Sequence, residues 1–154
     1  MPKQVLFVCT GNTCRSPMAE VLLRAALPPD SDWVVASAGT SADPGSAASE
    51  FSRVAIAECG LNLDNHRSQL VTQELVDASM VIVAMTNRHV EKLLQRVPSA
   101  RDRIYLMRSF DEKAPTGSDV FDPYCGTLAE YRACRDMIQQ AMQGLAHFLT
   151  HQRE

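Results

Sequence analysis

Short apolar runs alternate along the chain with longer stretches in which apolar positions recur every three or four residues. QVLFVC (4–9), WVVASA (33–38), MVIVAM (80–85) and RIYLM (103–107) are dense in Val, Ile and Leu without clean alternation, the mark of strands covered on both faces. Between them the helical period predicts helices. The first is predicted to begin with Ser16 as N-cap and Pro17 as its first helical residue, and to run through MAEVLLRAAL to the breaker Pro28-Pro29. A second covers about 48–59 and stops at Gly60, a residue able to take the left-handed conformation that closes a helix. Two more are placed at 72–78 and at 87–97, the latter ended by Pro98. In the last helix Thr127 and Glu130 form a capping box, and Leu128, Tyr131, Cys134, Ile138, Ala141, Leu145 and Leu149 share one face.

Strands and helices in alternation, joined by right-handed crossovers, predict an α/β fold with a parallel sheet and helices on both sides. Two connections are unusual: GTSADPGSA (39–47) and the longer RSFDEKAPTGSDVFDPYCG (108–126). Long loops in a small domain are functional candidates. In an open α/β sheet the ligand lies beyond the C-terminal ends of the strands, so both loops and the segment after the first strand are expected at one edge.

Composition narrows the function. A chain of 154 residues, 45% hydrophobic, suits one domain spanning 1–154 with a full core. A net charge of −3 lacks the cationic footprint that nucleic acid requires. No segment approaches a membrane span, and the apolar run at the N-terminus is too short for a signal peptide, so a cytoplasmic protein is expected. There are five cysteines, Cys9, Cys14, Cys59, Cys125 and Cys134; an odd number without an export signal points to reduced thiols.

The chemistry begins at VCTGNTCRSP (8–17). If Cys9 ends a strand and a helix starts at Ser16, the residues between must curl, turning successive backbone N–H groups toward one centre. Such a nest binds an oxyanion. The helix N-terminus adds partial positive charge, and the Arg15 guanidinium can hold two phosphate oxygens at once. The same positive surroundings favour thiolate over thiol, making Cys9 a nucleophile under a bound phosphorus atom. A nucleotide-binding P-loop is a poor match, because it needs a second glycine and a lysine that this loop lacks. A zinc site based on Cys9 and Cys14 lacks a second ligand pair at suitable spacing. A merely buried Cys9 would leave Arg15, Ser16 and Pro17 unexplained at their offsets.

A thiolate attacking phosphorus needs a proton donor for the departing atom. Asp111, Glu112, Asp119 and Asp122 lie in the second long loop. Asp122 is the preferred acid, because Pro123 stiffens the backbone behind it and Tyr124 is expected to form an apolar wall that favours the neutral carboxyl. Solvated loop charges are the simpler reading of the other three.

VLFVCTGNTCRSPMAE together with VFDPYCG resembles the low-molecular-weight protein tyrosine phosphatase family, with matching element order over essentially the whole chain. The resemblance implies a single doubly wound domain with a four-stranded parallel sheet and an anion-binding loop after the first strand. It also implies a two-step reaction without metal or organic cofactor. In that reaction Cys9 attacks phosphorus, while Arg15 and the amides of the loop Thr10, Gly11, Asn12, Thr13, Cys14, Arg15 and Ser16 hold the phosphoryl oxygens. Asp122 protonates the leaving group and then activates water against the cysteinyl phosphate. By the same carry-over Ser16 donates to the thiolate, and Asn12 holds the loop through a network with Ser37 and His66. Asn12 and Gly11 also stand where a turn calls for tolerance of positive φ. Cys14 is read either as packing or as a partner that traps oxidised Cys9 in a reversible disulfide.

Phosphorylated proteins are the expected substrates, and the chain is expected to act as a monomer. The pocket residue four positions after the nucleophile is Thr13, where phosphotyrosine-specific members of the family commonly carry an apolar side chain. CTGNTCRSPMAE, AMTNRH and TGSDVFDP look closer to the bacterial protein arginine phosphatase branch. A hydroxyl can accept N–H donors from a phosphorylated guanidinium, while Tyr124 suits either a phenyl ring or a stacked guanidinium. Phosphoarginine and phosphotyrosine both stay open. Two other classes fit less well: an arsenate reductase, whose relay of further thiols is missing from ASMVIVAMTNRHVEKL, and a non-catalytic phosphopeptide-binding module, which would not need Cys9, Arg15 and Asp122 together.

Overall fold

The computed structural model describes residues 3–151. In chain order the elements are β1 (Gln4–Cys9), α1 (Arg15–Ala26), β2 (Val34–Gly39), α2 (Glu50–Ala57), α3 (Gln73–Asp77), β3 (Val81–Ala84), α4 (Asn87–Arg96), β4 (Ile104–Leu106) and α5 (Leu128–Thr150). Short 3₁₀ turns at Pro98–Arg103 and Met107–Phe110 flank β4. The strands form a four-stranded sheet in the order β2-β1-β3-β4, every pairing parallel. All four predicted strands are present: β1 keeps its predicted bounds, β2 is shifted by one residue, and β3 and β4 lose a residue at each end.

Each central strand has two apolar faces because each is covered on both sides. Val5, Phe7, Val83 and Met85 pack with Met18, Leu22, Ile56, Ile138 and Leu145 from α1, α2 and α5. Leu6, Val8, Ile82 and Ala84 pack with Val76, Leu93 and Val97 on the side of α3 and α4. That double cover is the reason the strands read as unbroken apolar runs. The chain leaves β1 toward β2 on one side and reaches β3 on the other, so the winding reverses between β1 and β3. A crevice at the C-terminal ends of those two strands is the expected result.

The helix ends show where local signals were overridden. α5 carries the full capping box at Thr127 and Glu130, and its buried face holds the predicted positions plus Met142, with Leu128 half-buried at the start. α4 is capped by Thr86 and ends at Arg96, with only Val97 before Pro98 begins the 3₁₀ segment. α1 corrects the sequence reading: it starts at Arg15, with Cys14 in the cap position and no side-chain cap bond. Ser16 and Pro17 therefore sit inside its first turn. The hydroxyl of Ser16 is unavailable for capping because it is engaged by Cys9 and Asn12.

Candidate active site

The segment between β1 and α1 wraps over the end of the sheet. Asn12 has φ 57°, the left-handed turn the sequence suggested; Gly11 is not among the positive-φ residues, and a Cβ there would meet nothing nearer than Thr13 Oγ1 at 3.6 Å. The steric demand lies instead at Gly39, where a Cβ would stand 2.3 Å from the Thr10 carbonyl oxygen and 3.0 Å from the Asn12 nitrogen. The loop thus rests directly on the end of β2. Among the described residues, the backbone N–H groups of Thr10, Gly11, Thr13 and Cys14 donate to no protein acceptor. A curl of free amides at a helix N-terminus is suited to an anion.

Cys9 lies at the floor of this curl, buried. Its Sγ is 2.9 Å from Ser16 Oγ and accepts the Asn12 N–H at 3.3 Å. The Ser16 hydroxyl and the Asn12 N–H thus both sit within hydrogen-bonding reach of the sulfur. Asn12 is fully buried and uses its whole amide: Nδ2 donates to Ser16 Oγ at 2.8 Å and to Ser37 Oγ at 2.9 Å, and Oδ1 accepts the Gln69 N–H at 3.0 Å. Ser37 in turn donates to Glu20 at 2.6 Å, and Glu20 is paired with Arg24. His66 reaches the same point from another loop, with Nε2 2.6 Å from the Asn12 carbonyl oxygen. The structure therefore brings Asn12, Ser16, Ser37 and His66 together. Glu20 and Gln69 are members of that network which the sequence reading missed, although Glu20 stands in the quoted VLFVCTGNTCRSPMAE.

Arg15 is 3% exposed. Its Nη1 donates to the Val120 carbonyl at 2.9 Å, its Nη2 is 3.7 Å from Asp122 Oδ2, and its Nε has no protein partner. A buried, unpaired guanidinium N–H beside a curl of free amides is an open donor for an incoming oxyanion.

Asp122 meets the thiol cup, and the expected wall is absent from its side. The Asp122 side chain is 52% exposed and Tyr124 is 70% exposed, so no apolar packing encloses the carboxyl. Oδ1 accepts the Tyr124 N–H at 3.0 Å instead, a local turn that holds the side chain toward Arg15. Asp119 is tied to Asn87, and Asp111 accepts the Lys113 N–H, both away from the cup. Cys9, Thr10, Gly11, Thr13, Cys14, Arg15, Asp122 and Tyr124 all line one cavity of about 280 Å³, closed on its far side by Ser41, Asp43 and Ser46 of the first long loop.

The Cys14 thiol is turned to Tyr131 Oη at 3.4 Å and Ser49 Oγ at 3.6 Å. Burial and the contact with Cys14 push the Tyr131 phenol up to about 12, so it stays a neutral hydrogen-bonding group. Cys134 is buried under the long loop, and that burial pushes its thiol up to about 12, which makes it inert. Cys59 and Cys125 are exposed and lie outside the cup. His89 is a third residue at the site that sequence reasoning missed. Buried on α4, it bridges Thr10 Oγ1 at 2.8 Å and Thr86 Oγ1 at 3.1 Å; desolvation, then the nearby Arg15 charge, lower its pKa to about 4. Among the described residues no three His, Cys, Asp or Glu side chains converge as a metal ligand set, and no helix is long and apolar enough to cross a membrane.

Residues 4–154 match the family described as low molecular weight phosphotyrosine protein phosphatase. The chain belongs to that family. It is 38% identical over 149 residues to the protein-arginine-phosphatase of Geobacillus stearothermophilus, covering 97% of each chain. With the protein-arginine-phosphatase of Bacillus subtilis it shares 35% identity over 152 residues, covering 97% and 98%. Among solved structures, the YwlE arginine phosphatase from Geobacillus stearothermophilus superposes with a TM-score of 0.88 at 36% identity over 99% of both chains. The tyrosine phosphatase AmsI of Erwinia amylovora superposes with a TM-score of 0.88 at 30% identity, covering 98% and 95%. The family member described here is a cysteine-dependent protein phosphatase, with the doubly wound four-stranded fold that its sequence predicted.

Proposed function

We propose that this phosphatase acts on phosphoarginine in proteins, with Cys9 as nucleophile, Arg15 and the loop 10–16 as the phosphoryl cradle and Asp122 as acid and base. The Cys9 thiolate attacks phosphorus, the bond from phosphorus to the guanidine nitrogen breaks, and that nitrogen takes a proton from Asp122. Water then attacks the cysteinyl phosphate, gives a proton back to Asp122, and phosphate leaves with the thiolate restored. Ser16 and the Asn12 N–H stabilise the thiolate as leaving group in that second step. Asn12, Ser37 and His66 keep the cradle in shape. The chain is read as one domain working as a monomer in the cytoplasm, without metal, organic cofactor or nucleic acid. Its free cysteines suit a reducing compartment.

The observation that carries the substrate choice is Thr13. Its side chain lines the cup with Asp122 and Tyr124, and its hydroxyl has only a 3.7 Å contact with the Cys14 sulfur, too long to occupy it. That hydroxyl can accept an N–H of a phosphorylated guanidinium, a donor that a phenyl ring lacks. The naming of two relatives as protein-arginine-phosphatases supports the same reading. Phosphotyrosine is the second reading, favoured by the exposed Tyr124 ring at the mouth of the cup.

The test compares kcat/KM for matched phosphoarginine and phosphotyrosine peptides in wild type and Thr13→Ile. Loss of one hydrogen bond should cut the phosphoarginine-to-phosphotyrosine ratio by about ten- to a hundredfold. An unchanged ratio would remove Thr13 from the argument.

A further inference from the structure

A second cavity, of about 440 Å³, lies on the other side of Asp122 and shares Thr10, Arg15 and Asp122 with the thiol cup. Its outer wall carries Arg88 and Lys92, four residues apart on α4 and so stacked on one face of the helix. Neither makes a hydrogen bond or ion pair among the described residues. The carboxylates of the cavity are in the opposite condition. Asp119 accepts both the backbone and side-chain N–H groups of Asn87 at 2.8 Å, and Asp122 is held by Arg15 and the Tyr124 N–H.

His89 adds no charge to this wall near neutral pH, since its pKa lies at about 4. Three cationic side chains thus face two carboxylates that already have partners, in a protein whose overall charge is −3. Unpaired cations lining a concavity favour an anionic occupant.

We infer that this cavity is a subsite for an acidic side chain adjoining the phosphorylated residue of the substrate protein, recognised by Arg88 and Lys92. The common wall carries the reasoning: neighbouring residues of an extended peptide are only about 3.5 Å apart along the chain, and this cavity adjoins the thiol cup through Thr10, Arg15 and Asp122. The inference rests on the phosphatase reading of the thiol cup and holds for either phosphorylated side chain.

The experiment uses the full chain and three substrate series. One is a small aryl phosphate without a peptide; the others are phosphoarginine and phosphotyrosine peptides with Glu, Ala or Lys on either side of the modified residue. Wild type should cleave the Glu-flanked peptides with kcat/KM about tenfold above the Lys-flanked ones at low salt, since exposed ion pairs contribute a factor of a few each, and added salt should shrink the difference. Arg88→Ala with Lys92→Ala should abolish the preference, and Arg88→Glu with Lys92→Glu should reverse it. Aryl phosphate turnover should stay within about twofold throughout, because that substrate has no flank to read. Equal rates for Glu, Ala and Lys flanks in wild type, or a preference that survives charge reversal, would overturn the inference while leaving the phosphatase reading intact. Failure of wild type on all three series would bring down the phosphatase reading, and this subsite with it.

Discussion

Replacing Asn12 separates what its backbone does from what its amide does. The residue is buried, holds φ 57° and makes three side-chain hydrogen bonds, to Ser16, Ser37 and the Gln69 N–H. In Asn12→Gly the left-handed conformation comes free and the amide is lost. Ser16 still faces the Cys9 thiol and Ser37 still donates to Glu20, so the main orphan is the Gln69 N–H. An unsatisfied donor of that kind costs about 1–3 kcal/mol, and two weakened hydroxyl contacts bring the expected loss to roughly 3 kcal/mol. Asn12→Ala adds about 1 kcal/mol more, because an ordinary side chain resists the left-handed region. Both losses fall inside the roughly 5–15 kcal/mol stability of a typical domain, so both variants should fold. Urea unfolding with and without inorganic phosphate then reads the loop separately from the fold. At a hundred times its dissociation constant, phosphate should stabilise wild type by about 2.7 kcal/mol; in either variant that gain should drop below about 1 kcal/mol, since the cradle no longer holds its shape. Aryl phosphate kcat/KM should fall in parallel. If both variants matched wild type in stability and kept the full phosphate response, Asn12 would have no clamping role.

Cys9→Ser should abolish turnover and leave phosphate binding measurable by the same unfolding shift. Asp122→Asn should slow substrates with poor leaving groups by about a hundredfold while leaving good leaving groups within about tenfold, the usual scale for a lost general acid; equal slowing of both would assign Asp122 to binding. His89 has a pKa of about 4 against an ordinary 6.5, so the unfolded chain takes up its proton first as the pH falls. The stabilisation is complete above about pH 6.5 and is lost as the pH drops toward 4, a change of roughly 2–3 kcal/mol that urea midpoints across this window should show in wild type and not in His89→Gln. Peroxide should convert the Cys9 thiolate to a sulfenic acid that condenses with the Cys14 thiol, expelling water. Recovery by dithiothreitol should then be near complete in wild type and poor in Cys14→Ser, and equal recovery would make Cys14 a packing residue only.

The fold was legible because its signals are local and repeated. Four apolar runs without alternation announced strands covered on both sides, and the capping box at Thr127 marked the start of α5 within a residue. Signals failed where a side chain serves the site in place of its own helix. Ser16 looks like an N-cap from its neighbours, yet its hydroxyl bonds Cys9 and Asn12 and the helix begins without it. Gly39 reads as the start of a loop, and only the stacking of the Thr10 carbonyl against it shows why no side chain fits. His89 stood inside a quoted segment with nothing to single it out, since a histidine three residues after a capping threonine becomes meaningful only when Thr10 is found against its other nitrogen.

On the proposed reaction, Arg15 links a long exposed loop to the buried Cys9. The thiol half of the site is held by hydrogen bonds among buried groups, while Asp122 and Tyr124 lie on an open loop. That loop is fastened at Val120 by the Arg15 Nη1 bond and at Phe121 by the Cys134 thiol, and it passes directly into the capping box of α5. The guanidinium thus meets the loop carrying Asp122 with Nη1 and Nη2 and leaves Nε without a protein partner. In the proposed reaction an entering phosphoryl group would take up the free Nε and compete with Asp122 for Nη2, so substrate binding would loosen the carboxyl from its ion pair when a proton is needed beside the leaving group. A lysine in this position has its three donors on one nitrogen and cannot span the positions that the three guanidinium nitrogens reach. Arg15→Lys should therefore lose both phosphate affinity and the order of the loop, seen as faster amide exchange at Val120 and Phe121, the latter a change that a residue acting on phosphate alone would not produce.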